Sequence, residues 1–299
     1  MSVQMHLSQV SDPNTVITPI DGAIRFPEIL DNLYKKYDGA ITLFSKLIAE
    51  SASSTILLDR IRSKEIDSDQ RMSLLKMFRR CVSPVLDTET TKKIEKVSTE
   101  SLVANFGHTF KPIELLKVQF EKMSADTRAA LAALIGEYDT RGQSGYVLTE
   151  NFFSWFEINF EKELAIEGPR GAGRDIELSS VFDDFKGQYP CDFVIRKLES
   201  NEAVAVGFAR YDSTRGGAQS DDRTGGNSNK VAKAREYCAG TKRSFRLLFL
   251  SDGPGLAHKD TWEEACELDG SWGGNVRVTT LKLAPSRVTS SWLLGTESK

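Results

Sequence analysis

Apolar residues recur at helical spacing through the first half of the chain. Within 26–50, Leu30, Leu33, Ile41, Phe44 and Leu47 fall near one side of a 3.6-residue period, which predicts one or two amphipathic helices. Asp67 with Gln70 three residues later has the form of a capping box. It opens a helix through Met72, Leu74, Leu75, Met77 and Phe78 that Pro84 ends. Pro112 suits the first turn of a helix over 113–122. Ser124 or Asp126 can cap a run of alanines and leucines that reaches Tyr138 and is closed by Gly142 and Gly145. No strand pattern of comparable strength precedes residue 145, so residues 1–145 are expected to form an all-helical domain.

The pattern changes over 148–164, where Phe152, Phe153, Trp155, Phe156, Ile158 and Phe160 put aromatic bulk on most of a helix. Aromatic residues at helical spacing bury, so this is read as a core helix at a domain junction. A glycine-rich basic loop follows from Ile166 to Arg174. Its glycines allow close backbone approach, but it lacks the spacing of a P-loop or a dinucleotide fingerprint, and it is assigned to substrate contact through Arg170 and Arg174. Apolar strands are expected from Asp192 and over 203–211, then a basic helix over 229–238. A buried strand over 244–250, a tight turn at Ser251 to Gly255, a short helix over 262–268 and a last strand over 276–283 complete the chain. Residues 146–299 therefore read as an α/β (α+β) domain with a mixed sheet flanked by helices.

Composition narrows the class. At 299 residues with 40% hydrophobic and 27% charged positions, the chain has the balance of an ordinary globular protein. No stretch reaches the roughly 18 apolar residues of a membrane helix, and the first residues lack the pattern of a secretory leader, so a cytoplasmic location is expected. Cys81, Cys191, Cys238 and Cys266 show neither zinc-site spacing nor a disulfide framework. The net charge of −3 conceals a reversal: from Ser213 to Arg246, eight basic residues stand against three acidic ones. Such segregation suits a phosphate-contacting surface, or equally a solvated helix face.

The chemistry concentrates between Asp192 and Arg223. The chain leaves the second strand into Tyr211-Asp-Ser-Thr-Arg-Gly-Gly-Ala-Gln-Ser-Asp-Asp-Arg223, a composition suited to holding a ligand rather than filling a core. An acid at the head of one strand and an acid-x-lysine on its neighbour would hold a divalent metal beside a scissile phosphate. Asp192 is well placed for the first acid. Period-two alternation sets Ala203, Ala205 and Gly207 on one face of the next strand and Val204, Val206 and Phe208 on the other. The apolar face is expected to be core, and the small-residue face is where the carboxylate and lysine should stand.

Pro190-Cys-Asp-Phe-Val-Ile195, Ala205-Val-Gly-Phe208, Ser228-Asn-Lys230 and Phe249-Leu-Ser-Asp-Gly-Pro-Gly255 resemble, in order and spacing, the catalytic domain of type II restriction endonucleases of the PD-(D/E)XK superfamily. The closest likeness is to GATC-cutting enzymes with a helical N-terminal domain, and it covers roughly residues 166–268. The resemblance implies a Mg2+-dependent hydrolase of double-stranded DNA, site-specific and usually homodimeric. It also implies glutamate where this chain has Ala205, and lysine, glutamine or asparagine where it has Gly207. Three explanations stand open: an acid removed by substitution, an acid relocated to Asp212 or to Asp221 and Asp222, or a member that binds DNA without cutting. Glu202 is a further acid, read as a turn residue.

Asp192 is the first metal ligand expected, with Asp212 as the relocated acid. Glu177, on a helix before the strand, is the upstream carboxylate. Arg215, Arg223, Lys230 and Lys233 are candidate contacts to phosphate or to the transition state, since arginine forks match phosphate oxygens. Gln219 and Arg210 are candidate readers of adenine and guanine edges. His108 and His258 lack a paired nucleophile and are read as structural. Outside the nuclease class, the alternatives are a DNA-binding protein that uses this fold without hydrolysis and an enzyme acting on a phosphorylated small molecule.

Overall fold

The computed structural model describes residues 6–21, 24–137, 139, 142–214 and 221–296, of 221–225 the backbone alone. The chain divides into two units. One is residues 23–141; the other joins residues 1–22 to 142–299. The division differs from a single boundary at 145, because the first residues pack with the sheet half. Leu7 is buried there and its amide donates to the Asp269 carboxylate at 2.9 Å, while the Thr18 amide donates to Asp252 at 2.8 Å.

Residues 23–141 are helical, with no strand among the described residues. The helices are α1 (Glu28–Glu50), α2 (Ser54–Ile61), α3 (Ser68–Cys81), α4 (Thr88–Thr91), α5 (Thr99–Phe106), α6 (Ile113–Glu121) and α7 (Ala125–Gly136). The stripe Leu33, Tyr37, Ile41, Phe44, Leu47 and Ile48 buries one side of α1, which packs against α3, α6 and α7. Asp67 caps α3 by accepting from the Asp69 and Gln70 amides, and Ser124 caps α7. Beside α7, the Asp139 carboxylate takes hydrogen bonds from Lys36, Lys76 and Tyr37. Burial alone would raise its pKa, but these donors outweigh it and hold the group at about 2.

After its N-terminal residues, the other unit continues with α8 (Gln143–Phe160), then β1 (Leu164–Glu167), β2 (Ile176–Glu177), α9 (Leu178–Val181), β3 (Pro190–Cys191), β4 (Phe193–Lys197) and β5 (Ala203–Tyr211). Next come α10 (Asp221–Gly240), β6 (Arg246–Asp252), α11 (Lys259–Leu268) and β7 (Val276–Thr279). The main sheet has the order β1-β4-β5-β6-β7. The β1/β4 and β4/β5 pairs are antiparallel, whereas β5/β6 and β6/β7 are parallel. This is the α/β class with a helical N-terminal region that the alternation of patterns predicts. Strand β1 was not expected: it occupies the end of the 148–164 run and the start of the glycine-rich loop, since α8 stops at Phe160.

Both faces of the sheet are covered. On one, Phe152, Phe153, Phe156 and Phe160 of α8 bury against Phe193, Ile195, Ala205, Leu248 and Leu250. On the other, Val194, Val206, Phe208, Leu247, Phe249, Val276 and Val278 pack under Ala234 of α10 and Trp262 and Ala265 of α11. A register shift between Ile195 and Arg196 lets Ala203 and Ala205 pair with adjacent residues, leaving Val204 between them. The bulge breaks the simple alternation: Val204 joins Ala205 on the α8 side, and Ala203 packs on the α10 side.

Candidate functional site

Asp192 stands between β3 and β4 at the head of the antiparallel pair. Its amide donates to the Gly207 carbonyl at 2.9 Å, and its Oδ2 accepts from the Ala209 amide at 2.8 Å. The two bonds bracket Phe208 and set the carboxylate on the face that α10 covers. Burial raises the Asp192 pKa above the ordinary carboxylate value; the Ala209 N–H opposes this, Asp175 adds to it, and Lys230 works against it.

Lys230 comes to the same face from α10. Its Nζ lies 3.7 Å from the centroid of the Phe208 ring, which stacks on Phe249 at 5.0 Å between centroids. Burial lowers the Lys230 pKa, and the charges of Asp192 and Asp175 hold it up in part. The third member, Asp175, was not singled out in the sequence. The β2/β3 register pairs Ile176 with Cys191, so the next antiparallel step sets Asp175 across from Asp192. The only local signal is an acid before a short apolar pair, which does not reveal a partner 17 positions away.

The remaining candidates are placed differently. Glu177 is exposed on β2 rather than on a helix, and its Oε2 accepts from the Tyr189 amide at 3.0 Å. Asp212 is buried just past β5, where it accepts from Arg210 Nε at 2.8 Å and its own amide donates to the Asp252 carbonyl. Asp212 lies three residues beyond the Ala209 amide that binds Asp192, about 10 Å along an extended strand. Together with Arg210, Ser228 and Glu264 it lines a separate small cavity of about 50 Å³. Glu202 pairs with Lys197 at the β4–β5 turn, as a turn residue should.

Ala205 and Gly207 lie on the face away from Asp192. Ala205 is fully buried under α8, and a Cβ built on Gly207 would stand 1.9 Å from Phe193 Cζ. The small residues of β5 make room for the aromatic layer below them. Both faces of β5 are therefore core, Ala205 in the α8 layer and Val206 and Phe208 under α10, and Phe208 and Arg210 are on the Asp192 side.

Among the basic candidates, Arg170 donates to Glu150 at 2.7 Å and to Glu157, both on α8, and lies over the Phe153 ring. Arg174 and Lys233 are exposed. Arg215 and Gln219 lie outside the described residues, as do the side chains of Arg223, Asp221 and Asp222, whose backbone belongs to the first turn of α10.

Among the described residues, no three His, Cys, Asp or Glu side chains converge as metal ligands. Asp192 and Asp175 supply two hard oxygen donors, and the Ala209 bond leaves Asp192 Oδ1 uncommitted to that amide. This set suits a magnesium ion, which keeps several waters and takes only one or two carboxylates beside substrate phosphates. The class defined by these features is an α/β protein with a half-buried carboxylate, a second acid and a lysine on one sheet face. Comparison of the chain with protein-family models, curated proteins and solved structures finds no match. Among the described residues, no helix is long and apolar enough to cross a membrane.

Proposed function

We propose that the chain is a magnesium-dependent, site-specific endonuclease of double-stranded DNA, acting in the cytoplasm as a homodimer. The observation that carries it is the Asp192 carboxylate, held by the Ala209 amide at 2.8 Å, with Lys230, in the middle of the basic segment, on the same face. Asp192 and Asp175 are the residues that would hold Mg2+, which when bound would polarise a phosphate oxygen and lower the pKa of a bound water. The chain's own contribution is to fix Asp192 by two backbone bonds, so that little reorganisation is needed when substrate arrives. The exposed Lys233 of α10 and Arg174 of the turn after β1 would grip the phosphate backbone without reading sequence.

A second reading, a DNA-binding protein without hydrolysis, draws on the packing of Ala205 and Gly207. The strand positions at which the resemblance implies glutamate and lysine are filled by core. The two readings separate in one experiment. Long mixed-sequence duplex DNA is incubated with the native chain and magnesium, beside Asp192→Ala and Ala205→Glu. Hydrolysis predicts discrete fragments from the native chain, loss with Asp192→Ala, and no gain with Ala205→Glu, whose carboxylate would enter an apolar layer. Sequence-specific binding without fragments, little strengthened by calcium or magnesium, would favour the binding protein instead.

A further inference from the structure

We propose that the cation of this site is delivered by α10 rather than by a strand, with Lys230 as the catalytic residue that meets the scissile phosphate. The inference rests on the nuclease reading and adds to it the element that supplies the ammonium and the way its position is fixed. A lysine at position 207 would begin inside the Phe193 ring, so β5 cannot present an ammonium from there. The β5 positions that share the Asp192 face are occupied otherwise: Phe208 is a buried aromatic, and Arg210 is paired with Asp212 at 2.8 Å.

Lys230 fills the gap from above. Three anchors set its rotation on the helix. Ala234, one turn on, is fully buried against the sheet, and Val231 packs beside it. The Tyr189 hydroxyl donates to the Lys230 carbonyl at 3.1 Å, tying that turn to the segment leading into Asp192. The long side chain then lies along Phe208, whose ring is fixed by Phe249 on one side and by Tyr189 at 5.9 Å on another. A flexible ammonium laid on a rigid aromatic platform is preorganised, and the nearby carboxylates favour its charged form.

In hydrolysis a water oxygen bonds to phosphorus, one P–O ester bond breaks, the water gives up a proton and the departing alkoxide gains one. Lys230 acts on the charge that gathers on the non-bridging oxygens during this exchange, without itself losing or gaining a proton.

The test uses the full chain. Its cutting site is first located on long mixed-sequence duplex DNA with magnesium. Then kcat and KM are measured on a duplex carrying that site for native, Lys230→Met and Lys230→Arg proteins, with DNA affinity measured in calcium. The expected result is a fall in kcat of about 100-fold for Lys230→Met, with KM and calcium-phase affinity within about threefold, and partial recovery in Lys230→Arg. Native kcat in Lys230→Met, or a raised KM with kcat unchanged, overturns the role of Lys230 and leaves the nuclease reading standing. If Lys230→Met does not fold, native kcat and KM in Lys230→Arg overturn the role, because a placed ammonium and a guanidinium fork are not interchangeable. Absence of fragments from the native chain overturns the nuclease reading and this role together.

Discussion

Gly207→Ala tests whether the small residues of β5 form an empty catalytic slot or a packing seat. The added Cβ would lie 1.9 Å from Phe193 Cζ and 2.0 Å from Cε2, where carbon atoms prefer about 3.5–4.0 Å. The ring must therefore retreat by about 1.5–2 Å. It has nowhere to go: Phe193 is fully buried, with the Phe152 and Phe153 rings at 5.5 and 5.8 Å between centroids. Overpacking of this kind costs about 1–3 kcal/mol, and the rigid surroundings place it near the upper end. Replacing a strand glycine returns up to about 1 kcal/mol through the unfolded chain, so the net loss is about 2 kcal/mol. For a unit of this size that lowers the melting temperature by about 4–8 °C.

Scanning calorimetry of the full chain, with urea unfolding as a second measure, reads the effect. Phe193→Ala alone should cost about 3–5 kcal/mol, and Gly207→Ala added to it should cost nothing further, since the obstructing ring is gone. A Gly207→Ala protein that melts like the native one would refute the packing account. So would a penalty that persists without the Phe193 ring.

Two further outcomes follow from the same structure. Asp192→Asn should stabilise the folded chain at neutral pH, because the native carboxylate is held charged against burial. Its folded pKa lies above the ordinary aspartate value because of burial, so the native state binds more protons between the two and loses stability as pH rises through that window. The melting difference between Asp192→Asn and native should thus be absent near the unfolded value and grow toward neutrality; a difference independent of pH would contradict this origin. Asp269→Ala removes a carboxylate that accepts from the Leu7 amide at 2.9 Å, the Val278 amide at 3.0 Å and the Arg287 guanidinium. The expected loss is about 3–5 kcal/mol, with early proteolytic cleavage within residues 6–21; a leader that stays protected would show that Leu7 packing alone secures it.

The sequence by itself determined the class and most of the elements. Periodicity of 3.6 in the first half and short apolar runs in the second report which side of each element is buried, and burial is a local pattern. Asp67, Ser124 and the run before Pro84 marked helix ends correctly because capping is also local. The tertiary structure decided the rest. The bulge at Val204 moved one residue of β5 to the other face, and a break in pairing register is set by the neighbouring strand. Alternation identified two faces of β5 but not that α8 would cover the one lined with small residues. A short strand pair and a crossover helix bring the charges of Asp175 and Lys230, 17 and 38 positions away, to bear on Asp192. Such convergence depends on which elements stack on which face of the sheet, and no window of sequence contains it.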